Sequence, residues 1–361
     1  MTENASFDKA PFIMKIILTV LTLALCVMSS GVRAQFHPNI LAVNPANLIG
    51  VATAQDVSDL RSELSALVRA EPGDLQFRSI YSHSQNGTYA SAANLAEISI
   101  WRVPQGIGTY APIWRFKPTS YRPGGKCALI LYGGHHGAGH HASHPPYQSL
   151  LLKTIEAGCE VTAVDMPFNG LSPMALLLPV RGGGVYLTTA HEEFAYIDRP
   201  LAPFFEATLS VLDTLESEGV NNIAMAGLSG GGWATVVMAA LDERIDMAYS
   251  ISGSMPAYMR SWVLGSTGDW EQPFISASGF EYLDLYVAGA SSGRKFRNVH
   301  LINDPCCFAG TNASHYTNAV KAAVATSGGG DYTLFLDTTA TSHTVPDTVR
   351  DFIVQEIVTY F

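Results

Sequence analysis

Two rhythms of apolar positions run through this chain. Residues 96–104 and 109–118 alternate apolar with polar side chains on either side of Gln105-Gly106, which predicts a β-hairpin. After Gly124-Gly125 the alternation stops. Short continuous apolar runs take over at 127–132, 159–164, 222–226, 245–251, 299–302 and 332–336. A strand buried on both faces has no polar side to present, so such runs predict the inner strands of a parallel sheet. Between them, apolar residues return at helical spacing over 148–157, 201–218, 233–240, 315–325 and 345–360. Strand and helix in alternation after an opening hairpin predict an α/β fold. The expectation is a mostly parallel sheet of about eight strands with helices on both faces.

The flanking stretches differ. Residues 35–53 carry Pro38 and Pro45 and read as an extended arm, and 54–70 read as an amphipathic helix with Asp56 and Ser58 near its start. We therefore divide the chain into an arm and helix over 35–95 and a main α/β domain over 96–361. Residues 166–200 show no strand pattern and are interrupted by Gly182-Gly183-Gly184. They are expected to form either a small lid over a site or a plain surface excursion.

The N-terminus reads as a targeting segment. Lys15 precedes an apolar run over 16–27, and Val32-Arg33-Ala34 supplies small residues at the positions that a signal peptidase requires. Residues 1–34 are thus expected to be a signal peptide cleaved before Gln35, with Met14 as an alternative start. The run is too short for a comfortable membrane span, so no stable span is expected after its removal. The expected location is secreted or periplasmic.

Composition narrows the field. Hydrophobic residues make up 47% of the 361 positions and charged residues 14%, a balance that buries a large core. The net charge is -10 and no basic run stands out, so nucleic acid is not an expected partner. Arg294-Lys295-Phe296-Arg297 reads as a solvated loop. Four cysteines follow the signal segment. Cys127 and Cys159 each precede a predicted strand, and they can pair if those strands are parallel neighbours; two buried thiols are the alternative. Cys306-Cys307 either forms a vicinal disulfide or simply packs.

The chemistry centres on Gly227-Leu228-Ser229-Gly230-Gly231, a G-x-S-x-G pattern between an apolar strand and a helix. That setting lets a strained turn lift a serine hydroxyl above a sheet, with the next amide, Gly230, aimed at a developing oxyanion. A second match, Gly289-Ala290-Ser291-Ser292-Gly293, follows a helix-like stretch and reads as a loop. Serine needs a neighbouring base. His343 lies after the last predicted strand, at the edge where the Ser229 turn is expected. Asp304, after the strand ending at Ile302, is the expected acid, with Asp269 as its rival; Asp165 is expected to organise loops.

The order Ser229, Asp304, His343 resembles the α/β-hydrolase superfamily, over roughly residues 96–361. The stretch from Leu129 to Gly137 is similar to that family's strand and oxyanion loop. Tyr132-Gly133 or His136-Gly137 stands where the family often has His-Gly, so the resemblance implies a second oxyanion amide at Gly134 or His135. His136 and Trp233 are expected to touch substrate. His135, His136, His140, His141 and His144 crowd one short stretch. Clustered imidazoles suggest a transition metal, but nearby carboxylates are absent from the stretch, so a loop lining the site mouth is preferred and no metal or cofactor is expected. The resemblance implies an exported esterase acting on a small-molecule ester. An exported serine peptidase and a non-catalytic binding protein on the same scaffold remain alternatives.

Overall fold

The computed structural model describes residues 36–81, 89–90, 92–135, 145–180, 182–263, 265 and 267–361. The expected signal peptide over residues 1–34 and the stretch carrying His136, His140, His141 and His144 lie outside the described residues. Residues 38–361 form one compact unit.

Eleven strands are labelled in chain order: β1 (Gln76–Tyr81), β2 (Leu95–Gln105), β3 (Thr109–Pro118), β4 (Cys127–Tyr132), β5 (Glu160–Val164), β6 (Leu176–Pro179), β7 (Val185–Thr188), β8 (Asn222–Leu228), β9 (Met247–Ile251), β10 (Lys295–Leu301) and β11 (Asp331–Asp337). The longer helices are α1 (Ala54–Val68), α2 (Pro145–Glu156), α3 (Ala202–Ser217), α4 (Gly230–Leu241), α5 (Glu271–Ala277), α6 (Tyr282–Ala290), α7 (Ser314–Thr326) and α8 (Asp347–Tyr360). Nine strands make one sheet in the order β1-β2-β3-β5-β4-β8-β9-β10-β11. The strands from β5 to β11 in that order run parallel, and β3, β2 and β1 extend the sheet antiparallel.

The count is nine strands rather than about eight because β1 was not anticipated. Its residues are all exposed, so no buried face marks it in the sequence. It pairs with β2 and thereby draws part of the 35–95 stretch into the sheet. α1 is integrated as well. Its start is fixed by a capping box, with Thr53 and Asp56 each accepting from the other's backbone amide, and Arg61 on it donates to Ala240 O in α4.

The apolar runs behave as their composition requires. β4, β5 and β9 are buried at every position, and α4 is buried from Gly230 to Ala240. Cys127 and Cys159 are joined by a disulfide where β4 lies beside β5. Arg294-Lys295-Phe296-Arg297 is not a solvated loop. Three of its residues open β10, and both arginines are buried. Arg294 donates to Ala239 O at 2.7 Å and to Ala288 O, carbonyls near the ends of α4 and α6. Arg297 pairs with Glu356 and Asp331. Buried guanidinium groups persist here because carbonyls and carboxylates satisfy them.

The stretch between β5 and α3 holds a β-hairpin, β6 with β7, turning through Gly182-Gly183-Gly184. A short 3-10 segment, His191–Tyr196, follows it. Among the described residues no helix is long and apolar enough to cross a membrane.

Candidate functional site

The chain leaves β4 to build β5 on one side, then returns to build β8 on the other. This reversal opens a crevice beyond the carboxyl ends of β4 and β8, the usual ligand position in such sheets. Ser229 follows β8 there, between Leu228 and the start of α4. Its backbone stands at φ 60° and ψ -127°, a region that costs a non-glycine residue about 1–3 kcal/mol. The strain is held from both sides: Ser229 N donates to Ile251 O at 2.9 Å, and Trp233 N donates to Ser229 O at 3.0 Å.

The turn is packed backbone against backbone. A Cβ on Gly134 would lie 2.6 Å from Leu228 O and 3.3 Å from the amide nitrogens of Gly230 and Gly231. A Cβ on Gly230 would strike the His135 ring at 2.4 Å. Gly134, His135 and Gly230, the three expected oxyanion residues, are therefore brought together beside the Ser229 turn. Tyr147 of α2 braces the same place. Its hydroxyl accepts from Leu228 N at 2.6 Å and donates to Tyr132 O at 3.3 Å. Sequence reading missed Tyr147, since a tyrosine on an amphipathic helix carries no motif.

Asp304 and His343 meet at the same sheet edge, in the loops after β10 and β11. His343 Nδ1 lies 2.7 Å from Asp304 Oδ2. The other carboxylate oxygen accepts from Cys306 N at 2.8 Å and Cys307 N at 3.3 Å. Cys306 and Cys307 form a vicinal disulfide. Burial pushes the Asp304 carboxyl up, but His343 and the two cysteine amides outweigh it and hold Asp304 below its ordinary range.

The rival acids stand elsewhere. Asp269 lies 3.2 Å from His135 Nδ1. Asp165 ends β5 and accepts from Leu171 N at 2.9 Å, fixing the start of the 166–200 stretch. Burial, only partly offset by that amide, pushes its carboxyl up to about 7.

Trp233, expected to contact substrate, is fully buried. It sits on the inward side of α4 against Phe204 and Phe205, each at 5.4 Å between ring centroids. A large aromatic ring so placed serves the core. His136 lies outside the described residues.

A second group of polar side chains adjoins the turn. His135 Nε2 lies 2.9 Å from Glu271 Oε1 and 3.0 Å from His191 Nδ1, and His191 Nδ1 lies 3.5 Å from Glu271 Oε2. Glu271 is wholly buried. Burial disfavours charge on the His135 ring, yet the Glu271 and Asp269 carboxylates outweigh this and raise it. A cavity of about 250 Å³ opens beside the cluster, lined in part by His135, His191, Phe168, Asp269 and Trp270. His191 and Glu271 carry no motif with the histidine-rich loop, from which each is distant in sequence.

No protein-family model matches the chain, and no curated protein matches its sequence. Solved structures do resemble it. An acetyl xylan esterase from Paenibacillus sp. R4 superposes with a TM-score of 0.56 at 17% identity, over 88% of this chain and 98% of that one. Acetyl xylan esterase 1 from Thermoanaerobacterium sp. JW/SL YS485 gives 0.55 at 14%, over 86% and 95%. A glucuronoyl esterase from Solibacter usitatus gives 0.54 at 13%, over 86% and 94%. Sheet order, strand-turn-helix at Ser229 and these likenesses agree that the chain has the α/β-hydrolase fold.

Proposed function

We propose that the protein is a serine hydrolase cleaving carboxylic esters, with Ser229 as nucleophile, His343 as general base and Asp304 as the acid that orients it. The observation that carries this reading is the 2.7 Å contact between His343 Nδ1 and Asp304 Oδ2 at the sheet edge that also bears the strained Ser229 turn. Asp304 accepts from Nδ1, which leaves Nε2 as the nitrogen that takes the serine proton. Ser229 Oγ attacks the ester carbonyl carbon while that proton passes to His343. The Gly230 amide and one amide at Gly134 or His135 stabilise the oxyanion. His343 then protonates the departing alcohol, and water, activated by the same imidazole, releases the acid.

The ester reading draws support from neighbours whose own names are acetyl xylan and glucuronoyl esterases. The two disulfides and the targeting pattern of residues 1–34 support export to an oxidising compartment. The hairpin-bearing stretch over 166–200 is assigned as a lid-like wall of the site. The test is a panel of p-nitrophenyl esters of graded acyl length with wild type and Ser229→Ala, alongside fluorophosphonate labelling. Wild type is expected to hydrolyse short esters and take the label. Ser229→Ala is expected to lose both, its turnover falling by several orders of magnitude. Ester turnover that survives in Ser229→Ala would overturn the reading, as would a preference for peptide p-nitroanilides.

A further inference from the structure

We propose that His135, His191 and Glu271 form a divalent transition-metal site, with zinc the ion that their chemistry suits best. The site stands on its own geometry and does not rest on the ester reading.

Three ligand groups converge on one point. His135 Nε2 lies 2.9 Å from Glu271 Oε1 and 3.0 Å from His191 Nδ1, and Glu271 Oε2 lies 3.5 Å from His191 Nδ1. Zinc bonds to imidazole nitrogen and carboxylate oxygen at about 2.0–2.2 Å, so the corners of a tetrahedral site lie about 3.3 Å apart. The observed separations bracket that value.

Hydrogen bonding alone accounts for the group poorly. His191 Nε2 donates to Pro167 O at 2.8 Å, so in the neutral ring Nδ1 is an acceptor and His135 Nε2 supplies its proton. That arrangement uses the one proton His135 can direct inward. Neither Glu271 oxygen then completes a hydrogen bond of normal geometry, although both are buried. A wholly buried carboxylate without a donor is costly. A cation among the three groups removes that cost, because both nitrogens present lone pairs and the carboxylate charge is matched.

The outer groups are those that metal-bound histidines use. His191 turns its other nitrogen to an acceptor, Nε2 to Pro167 O at 2.8 Å, and the Asp269 carboxylate stands 3.2 Å from His135 Nδ1, at ion-pair distance but outside hydrogen-bond geometry. The carbonyl fixes the His191 tautomer and orients its ring toward an ion, and the carboxylate favours a proton on His135 Nδ1. Three protein ligands leave a fourth position, and the adjoining cavity of about 250 Å³ supplies room there for water or a substrate oxygen. The His135 ring also lies against Gly230. An ion held here therefore pins the loop after β4 beside the Ser229 turn.

The experiment is zinc titration of the chelator-stripped full chain, read as metal bound per chain and as the thermal unfolding midpoint, with magnesium as the comparison ion. One zinc per chain is expected, raising the midpoint where magnesium does not. His191→Ala and Glu271→Gln are expected to lose zinc binding at micromolar metal. Asp269→Asn changes a half-exposed group and leaves all three ligands in place, so it tests the site in a protein that folds; a weakening of roughly 10–100-fold is expected. Ser229→Ala is expected to bind zinc as wild type does, which separates this proposal from the catalytic one. Cobalt in place of zinc is expected to give the intense visible absorption of a four-coordinate ion. Wild type that binds no zinc overturns the proposal. So does zinc bound with unchanged affinity by folded Asp269→Asn and His191→Ala.

Discussion

The parallel strands and the stretch over 166–200 contrast within one chain. β4, β5 and β9 are buried at every position, and the charge of Glu160 on β5 is paired. Arg115, almost fully buried, bonds Glu160 at 2.7 Å and Glu218 at 2.7 Å. In the 166–200 stretch the burial is divided: Met174 is 65% exposed, Leu177 70% and Val185 67%, while Met166, Leu178, Phe194 and Ile197 are buried. Yet this stretch supplies His191 and lines the cavity with Phe168 and Asn169. The sheet edge thus carries Ser229, Asp304 and His343, and the excursion forms part of the cavity wall while its hairpin stays exposed.

Four substitutions put this contrast under load. The largest effect is expected from Asp304→Asn. Losing the carboxylate while keeping the shape favours the wrong imidazole tautomer, and ester turnover is expected to fall by roughly 10⁴. Near wild-type turnover in the folded variant would move the acid elsewhere. Arg115→Leu comes next. It leaves Glu160 buried without its guanidinium, and urea denaturation is expected to read a loss of about 3–5 kcal/mol. A loss below about 1 kcal/mol would mean that water reaches Glu160 readily.

Asp165 stands where the two regions join, and it makes stability depend on pH. Its folded carboxyl titrates at about 7, against an ordinary value of 3.8. Between those values the unfolded chain gives up its proton while the folded chain keeps it. Wild-type stability therefore falls as pH rises across that window and levels off above it. Asp165→Asn should flatten this slope, a difference of at most about 4 kcal/mol between pH 4 and pH 8. Parallel pH profiles for the two proteins would show that Asp165 is ionised in the fold. The smallest effect belongs to the excursion: Leu177→Ser is expected to shift unfolding by less than about 0.5 kcal/mol. A larger loss would mean that this hairpin packs more firmly than its exposure implies.

The parts legible in the sequence share a physical reason. Inner strands declare themselves because burial on both faces forbids polar residues, and β4, β5, β8 and β9 were each located to within a few residues. The glycines flanking Ser229 were readable because a strained turn between strand and helix excludes side chains. β1 was not readable, since its exposed residues obey no burial pattern. The β6–β7 hairpin was hidden for the same reason. Trp233 lies near Ser229 in sequence, but α4 turns it inward, against Phe204 and Phe205, and not toward substrate as expected. His191 and Glu271 needed the fold itself, because their meeting with His135 is made by three separate stretches and by no local spacing.

The close approach of Gly134 to Leu228 O has a practical meaning for anyone who would redesign this protein. At that crossing, main chain meets main chain, and the clearance is set by the spacing of adjacent strands rather than by any choice of residue. Libraries that vary positions there would mostly return broken proteins. Diversity placed in the β6–β7 hairpin falls on exposed side chains such as Leu177 and Val185 and leaves that crossing untouched.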